Sequence, residues 1–158
     1  MTRTVAAYLA GVFDSDGTIG IKRNTYSMRV VGDSAAPTYS ERIHIRQVER
    51  PALELLAATF GGNIGVDDPN AKRGRPLFCW GQTDAKAART LRALLPFLRI
   101  KRQQAKNCLA LRAVKERSKR ARVRRNRGCV GALSRTAAHG HEMERLYLRA
   151  KQLNHVGI

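Results

Sequence analysis

Asp14, Ser15 and Asp16 close an apolar run of small and large residues, Leu9-Ala10-Gly11-Val12-Phe13, and Gly17 follows them. Val5, Tyr8, Leu9, Val12 and Phe13 recur at helical spacing, so a helix over 4–16 is expected. Both carboxylates then fall in its last turn or just past it. The helix macrodipole leaves partial negative charge at that end, where acids are unfavourable and cations favourable. A hard divalent cation that takes oxygen ligands would resolve the conflict. Gly17 is expected to stop the helix in the left-handed region, which glycine enters without a Cβ penalty.

Charge points to the substrate class. The 158 residues hold 30 Lys and Arg against 12 Asp and Glu, a formal net charge of +18. A polyanion is the expected partner, nucleic acid before an anionic membrane surface. No apolar run reaches membrane length, so no membrane partner is expected. Cys79, Cys108 and Cys129 are scattered and odd in number, which implies a reducing compartment rather than a disulfide framework. The composition suits a soluble protein of the cytoplasm, nucleoid or an organelle matrix.

The elements that must position these groups follow from periodicity. The first helix has little polar surface before Asp14, and its Ala and Gly positions let a second backbone, such as another copy, approach closely. Residues 18–31 alternate as an extended segment whose phase slips near Asn24, and 32–40 reads as a loop. Over 41–47, Ile43 and Ile45 face one way and Arg42, His44 and Arg46 the other. The second set could read base edges and phosphates in a major groove. Pro51 opens a helix that runs to Phe60 and stops at Gly61-Gly62. Short strands at 63–66 and 77–82 follow, then a helix from Asp84 that breaks at Pro96. A further helix is expected over 99–114. Residues 115–127 carry eight Lys or Arg and one acid, as a solvated helix end or basic segment. The last helix is expected at 141–153. The chain reads as one domain, 1–158, with a core of about 1–112, the basic segment 115–127 and a C-terminal helix at about 139–154.

The run from Leu9 to Gly17 resembles the signature of the LAGLIDADG homing endonucleases, with Leu-Ala-Gly, two large apolar residues and Asp-x-Asp-Gly in place. The order α-β-β-α-β-β-α is that family's core order. Leu95-Pro96-Phe97-Leu98-Arg99-Ile100-Lys101 is similar to its segment ending in a lysine near the scissile phosphate, and Leu153-Asn154-His155-Val156-Gly157 to its closing Leu-Asn-x-x-Gly. The resemblance implies an α+β fold with a saddle-shaped antiparallel sheet and extra C-terminal helices. It implies a site-specific double-strand DNA endonuclease of the intron-encoded kind. One signature implies a homodimer on a long pseudo-palindromic site.

By the same resemblance Asp16 is the metal ligand, assisted by the Ser15 carbonyl. Gln47 positions water and Lys101 stabilises the phosphate. Mg2+ is the implied cofactor, with Mn2+ as a substitute and Ca2+ supporting binding without cleavage. Ala7, Ala10, Gly11 and Asp14 belong to the implied dimer interface, and Asp14 matches the family's first acid, which caps or packs more often than it catalyses. Lys22, Asn24 and Tyr26 on the first strand, with Arg42, His44 and Arg46 on the second, are the main candidate DNA contacts. Arg73, Arg75 and Gln82 join them on the last hairpin. At least half of protein–DNA hydrogen bonds go to the backbone, so several of these are expected to contact phosphate alone. The competing readings are a non-cleaving relative, either a maturase acting on intron RNA or a DNA-binding regulator, and a generic monomeric RNA-binding protein.

Overall fold

The computed structural model describes residues 1–24, 37–68, 74–125 and 137–155. Helix α1 (Arg3–Asp16) starts at Thr2, whose hydroxyl accepts from the Val5 amide at 3.3 Å. Ala6, Leu9, Ala10 and Phe13 form its buried stripe. The chain then gives β1 (Gly17–Asn24), β2 (Thr38–Gln47), α2 (Pro51–Phe60), β3 (Ile64–Asp68), β4 (Leu77–Thr83), α3 (Asp84–Leu94), α4 (Arg102–Arg125) and α5 (Ala137–His155). The fold is α+β, in the expected order, with two helices added after the core. No helix among the described residues is long and apolar enough to cross a membrane.

Some boundaries differ from expectation. β2 begins at Thr38, inside the expected loop. The basic run continues α4 to Arg125 as one helix, as the helix-end reading of that stretch expects. Buried Leu111 and Val114 hold that helix to the core, and Lys and Arg are good helix formers. The second half of the first extended segment, with Tyr26, lies outside the described residues, as do Arg73, Cys129, Val156 and Gly157.

The four strands form one antiparallel sheet in the order β1-β2-β4-β3. Ile19, Ile43 and Gln82 make one cross-strand row, and Thr18, His44 and Gly81 the next. Side chains alternate across a sheet, so the first row faces the helices and the second faces away. Ile19, Ile21, Ile43, Ile45 and Trp80 join Leu9, Phe13, Leu53, Leu91 and Leu111 in one core. Phe13 meets Trp80 edge to face, with ring centroids 6.2 Å apart.

Gly17 does not stop α1 in the left-handed region. Its backbone is extended, at φ −76° and ψ 150°. Space is what demands glycine: a Cβ there would lie 2.3 Å from Phe13 Cδ1 and 2.8 Å from the Phe13 carbonyl oxygen. The helix therefore turns directly into β1, carrying Asp16 to the junction of helix and sheet. Positive φ is needed instead after α2, at Gly61 (76°) and Gly62 (99°).

α4 and α5 are fastened to this framework by polar groups. Glu41, on the core face of β2, is fully buried and accepts from Arg112 and Lys115 of α4, each at 2.9 Å. Asp84 also pairs with Lys115. α5 is held by Asn107, which donates to the Leu146 carbonyl at 2.8 Å, and by Asn154, which donates to the Ile19 carbonyl at 3.3 Å.

Candidate functional site

The two signature acids have separate surroundings. Asp14 accepts backbone N–H groups from Arg99 at 2.7 Å and Lys101 at 2.8 Å. Its carboxylate thereby caps the turn between α3 and α4. This removes the unfavourable charge that the sequence assigned to it, because amide donors stabilise a carboxylate as a cation would. Asp16 is exposed, and its Oδ2 accepts from Gln47 Nε2 at 3.0 Å. Gln47 is the last residue of β2, so the pair spans the α1–β1 corner and the end of the next strand.

The Asp14 cap fixes the start of α4 and with it the Lys101 side chain. Lys101 Nζ donates to the carbonyls of Phe13 at 2.9 Å and Ser15 at 3.1 Å, the free end of α1. Burial pulls the Lys101 pKa below its ordinary value, while Asp14 and Asp16 pull it back up. Asp16, Gln47, Lys101 and the Ser15 carbonyl, all named from the sequence, therefore meet at one exposed corner.

Thr18, two residues after Asp16, and Arg46, one before Gln47, lie on the outer face of the sheet. A groove of about 650 Å³ is lined by Thr18, Lys22, Arg23, Arg42, His44 and Arg46 of β1 and β2, and by Tyr147, Lys151, Asn154 and His155 of α5. A Cβ on Gly20 would come within 3.2 Å of Asn154 Nδ2, so the glycine admits the end of α5 to this face. Burial lowers the His44 pKa, Arg46 and Arg42 lower it further, and Asp67 opposes them. His44 Nε2 is buried with no hydrogen-bond partner. Arg46 pairs with Asp67 of β3 at 3.0 Å. Asn24, half-buried, ends β1, and Arg75 lies exposed before β4, 3.5 Å from Glu49.

Two sequence assignments need correction. Gln82 faces the core, not the groove. It is buried, and donates to the Phe60 and Gly61 carbonyls at 3.0 and 3.3 Å while accepting from Thr90 at 2.7 Å. Its work is to satisfy the C-terminal carbonyls of α2. Ala10 is fully buried within its own chain, so the open face of α1 is instead Thr4, Ala7, Tyr8, Gly11 and Ser15. Asp14 is bound to its own chain's amides, while nothing would lie within 4 Å of a Cβ on Gly11.

Sequence reasoning missed the α5 wall and the Glu41 cluster. The second was readable, since Glu41 shares parity with Ile43 and Ile45 and so had to face the core. Lys151 and His155 carried no comparable signal beyond charge near a helix end.

The corner contains oxygen donors suited to a hard cation: the Asp16 carboxylate and the Ser15 carbonyl. Among the described residues no three His, Cys, Asp or Glu side chains gather as a metal-ligand group. Mg2+ keeps several waters and takes one or two carboxylates, so this donor set fits it.

No family model and no curated protein matches the sequence. Solved structures do. The chain is similar to the homing endonuclease I-CvuI, in a complex with the I-CreI target in which the DNA is not cleaved, at 2 mM Mg: TM-score 0.68, 19% identity, 96% of this chain and 82% of that one. It is similar to the archaeal intron-encoded homing endonuclease I-Vdi141I complexed with DNA, with TM-score 0.66 and 11% identity over 97% of this chain and 86% of that one. A third is the meganuclease I-SmaMI bound to uncleaveable DNA, with TM-score 0.62 and 17% identity over 90% of this chain but 43% of that one. The chain has the fold of the LAGLIDADG homing endonucleases.

Proposed function

We propose that this protein is a site-specific, divalent-metal-dependent double-strand DNA endonuclease that acts as a homodimer. One observation carries the reading: Asp16, Gln47 and Lys101, distant in sequence, converge beside a groove lined with arginine and lysine. Structural neighbours bound to DNA, one with 2 mM Mg and one with 2 mM Ca, support it.

The chain's own groups divide the work. Arg42 and Arg46 present donors to base edges, with Lys22 beside them on β1 and His44 between them in the groove. Lys151 offers a cation to the sugar-phosphate backbone from the other wall, and His155 a ring nitrogen. Asp16 provides the carboxylate that holds Mg2+, with Mn2+ as a substitute and Ca2+ for binding alone. The ion, when bound, supplies Lewis-acid stabilisation of the phosphate and activation of water. Gln47 fixes the Asp16 carboxylate and keeps a second amide N–H and its carbonyl to orient a water. Lys101 places positive charge where charge develops on the phosphate.

The open stripe on α1 supports pairing of two copies. Ala7 and Gly11 leave space for a second backbone, and Tyr8 is 52% exposed. Pairing there brings a second signature end to the same place, and two-fold symmetry calls for a roughly palindromic target. The test has two arms. Light scattering gives a dimer without nucleic acid, and a duplex carrying the target is cut in Mg2+ and only bound in Ca2+. A protein that prefers structured RNA and never cuts DNA is a maturase-like binder instead.

A further inference from the structure

α1 has no basic residue in its last turn, although that end carries the negative pole of the helix. The cation comes from elsewhere in the chain. Lys101 Nζ bonds the Phe13 and Ser15 carbonyls, and the backbone of the same residue is held by Asp14. The oxygen that would join Asp16 in holding a divalent ion is therefore already occupied by an ammonium.

The two cations compete for one carbonyl. A Mg2+ ion sits at about 2.1 Å from a ligand oxygen, so an ammonium kept on Ser15 O would lie within about 5 Å of it. Their repulsion favours departure of the lysine, whose four-carbon stem is flexible while its backbone stays fixed.

We propose that Lys101 is the resident cation of the metal-free centre, and that a divalent ion displaces it from Ser15 O and so releases it toward the phosphate. Loading of the centre then delivers the stabilising charge. This inference rests on the endonuclease reading and adds an order of events to it: the ammonium moves only when the ion arrives.

The probe is Ca2+ on the full-length chain, with calorimetry to define saturation. Reductive methylation followed by peptide mapping reads the accessibility of each lysine amine. Lys101 is expected to methylate several-fold faster at saturating Ca2+, with Lys106 and Lys151 unchanged. The response disappears in Asp16→Asn. Lys101→Met is expected to bind Ca2+ more tightly and to show faster amide exchange at the end of α1 when Ca2+ is absent. Ca2+ binding that depends on Asp16 but leaves Lys101 reactivity unchanged overturns the displacement and leaves the nuclease reading standing. Absence of Ca2+ binding to the free chain also overturns it, and Mg2+-dependent cutting of duplex DNA then decides the nuclease reading separately.

Discussion

Two clusters in this molecule are built from the same chemical groups and meet different fates. At the α1 corner, Asp14, Asp16 and Lys101 sit with Gln47 at the surface. Behind the sheet, Glu41, Asp84, Arg112 and Lys115 join β2 and α3 to α4. Glu41 is fully buried, and its Oε2 faces two cations. Asp16 is open and bonded by one neutral amide. Composition is nearly equal in the two places. Burial and the identity of the partner decide which carboxylate holds the fold and which is free to act.

The largest effects come from exchanging these roles. Asp16→Asn keeps the Gln47 neighbour but removes the charge, and is expected to lower cleavage on the order of a thousandfold or more. Its melting temperature and duplex affinity should stay near wild type. Lys101→Met is expected to lose roughly a hundred- to a thousandfold in single-turnover rate. Loss of duplex binding in Asp16→Asn, read by gel shift in Ca2+, would give that acid a structural role instead.

Glu41→Gln gives the converse result. It leaves two largely buried cations short of a counter-charge and is expected to cost about 3–5 kcal/mol by urea denaturation. Cleavage per folded molecule should be retained. A variant that folds normally yet fails to cut would erase the contrast between the clusters.

Smaller effects sharpen the account of the groove. Arg42→Ala is expected to cost about 1–3 kcal/mol of discrimination at one base pair. Lys151→Ala should weaken all sequences alike and reduce the salt slope by about 0.9. Quantitative binding to a library of single-base variants at several salt concentrations separates the two.

The smallest effect is in pH. His44 has its pKa lowered in the fold, so as pH falls below the unfolded value of 6.5 the unfolded chain takes up its proton first. Stability from this group is complete above that pH and is lost as pH falls through the folded pKa. Comparison of urea midpoints across this range should show a shallower slope in His44→Gln than in wild type.

Much of this was legible before any coordinates. The helical stripe of α1 and the alternation of β2 are period signals that tertiary contacts reinforced. Gln47 and Lys101 were found by resemblance, since nothing in their local spacing says that residues 47 and 101 meet. Asp14 was read as a capping or packing acid by resemblance, and it does cap, but its partners are backbone amides 85 and 87 positions away, which no local pattern reveals. Gln82 was misplaced because the register of the last hairpin was not readable. Pairing with Ile43 puts it on the core side. Gly17 was read for its φ when its lack of a side chain against Phe13 was the reason. The α5 wall was missed because docking of a helix on a sheet face depends on shape at Gly20 and Asn154.

The most direct test of the central claim is a cleavage selection in Mg2+ over a library of long duplexes, with Asp16→Asn in parallel. The account predicts a single near-palindromic cut site that disappears in the variant. No enriched cut, or cuts that persist in Asp16→Asn, would contradict the assignment of the α1 corner as the cleavage centre.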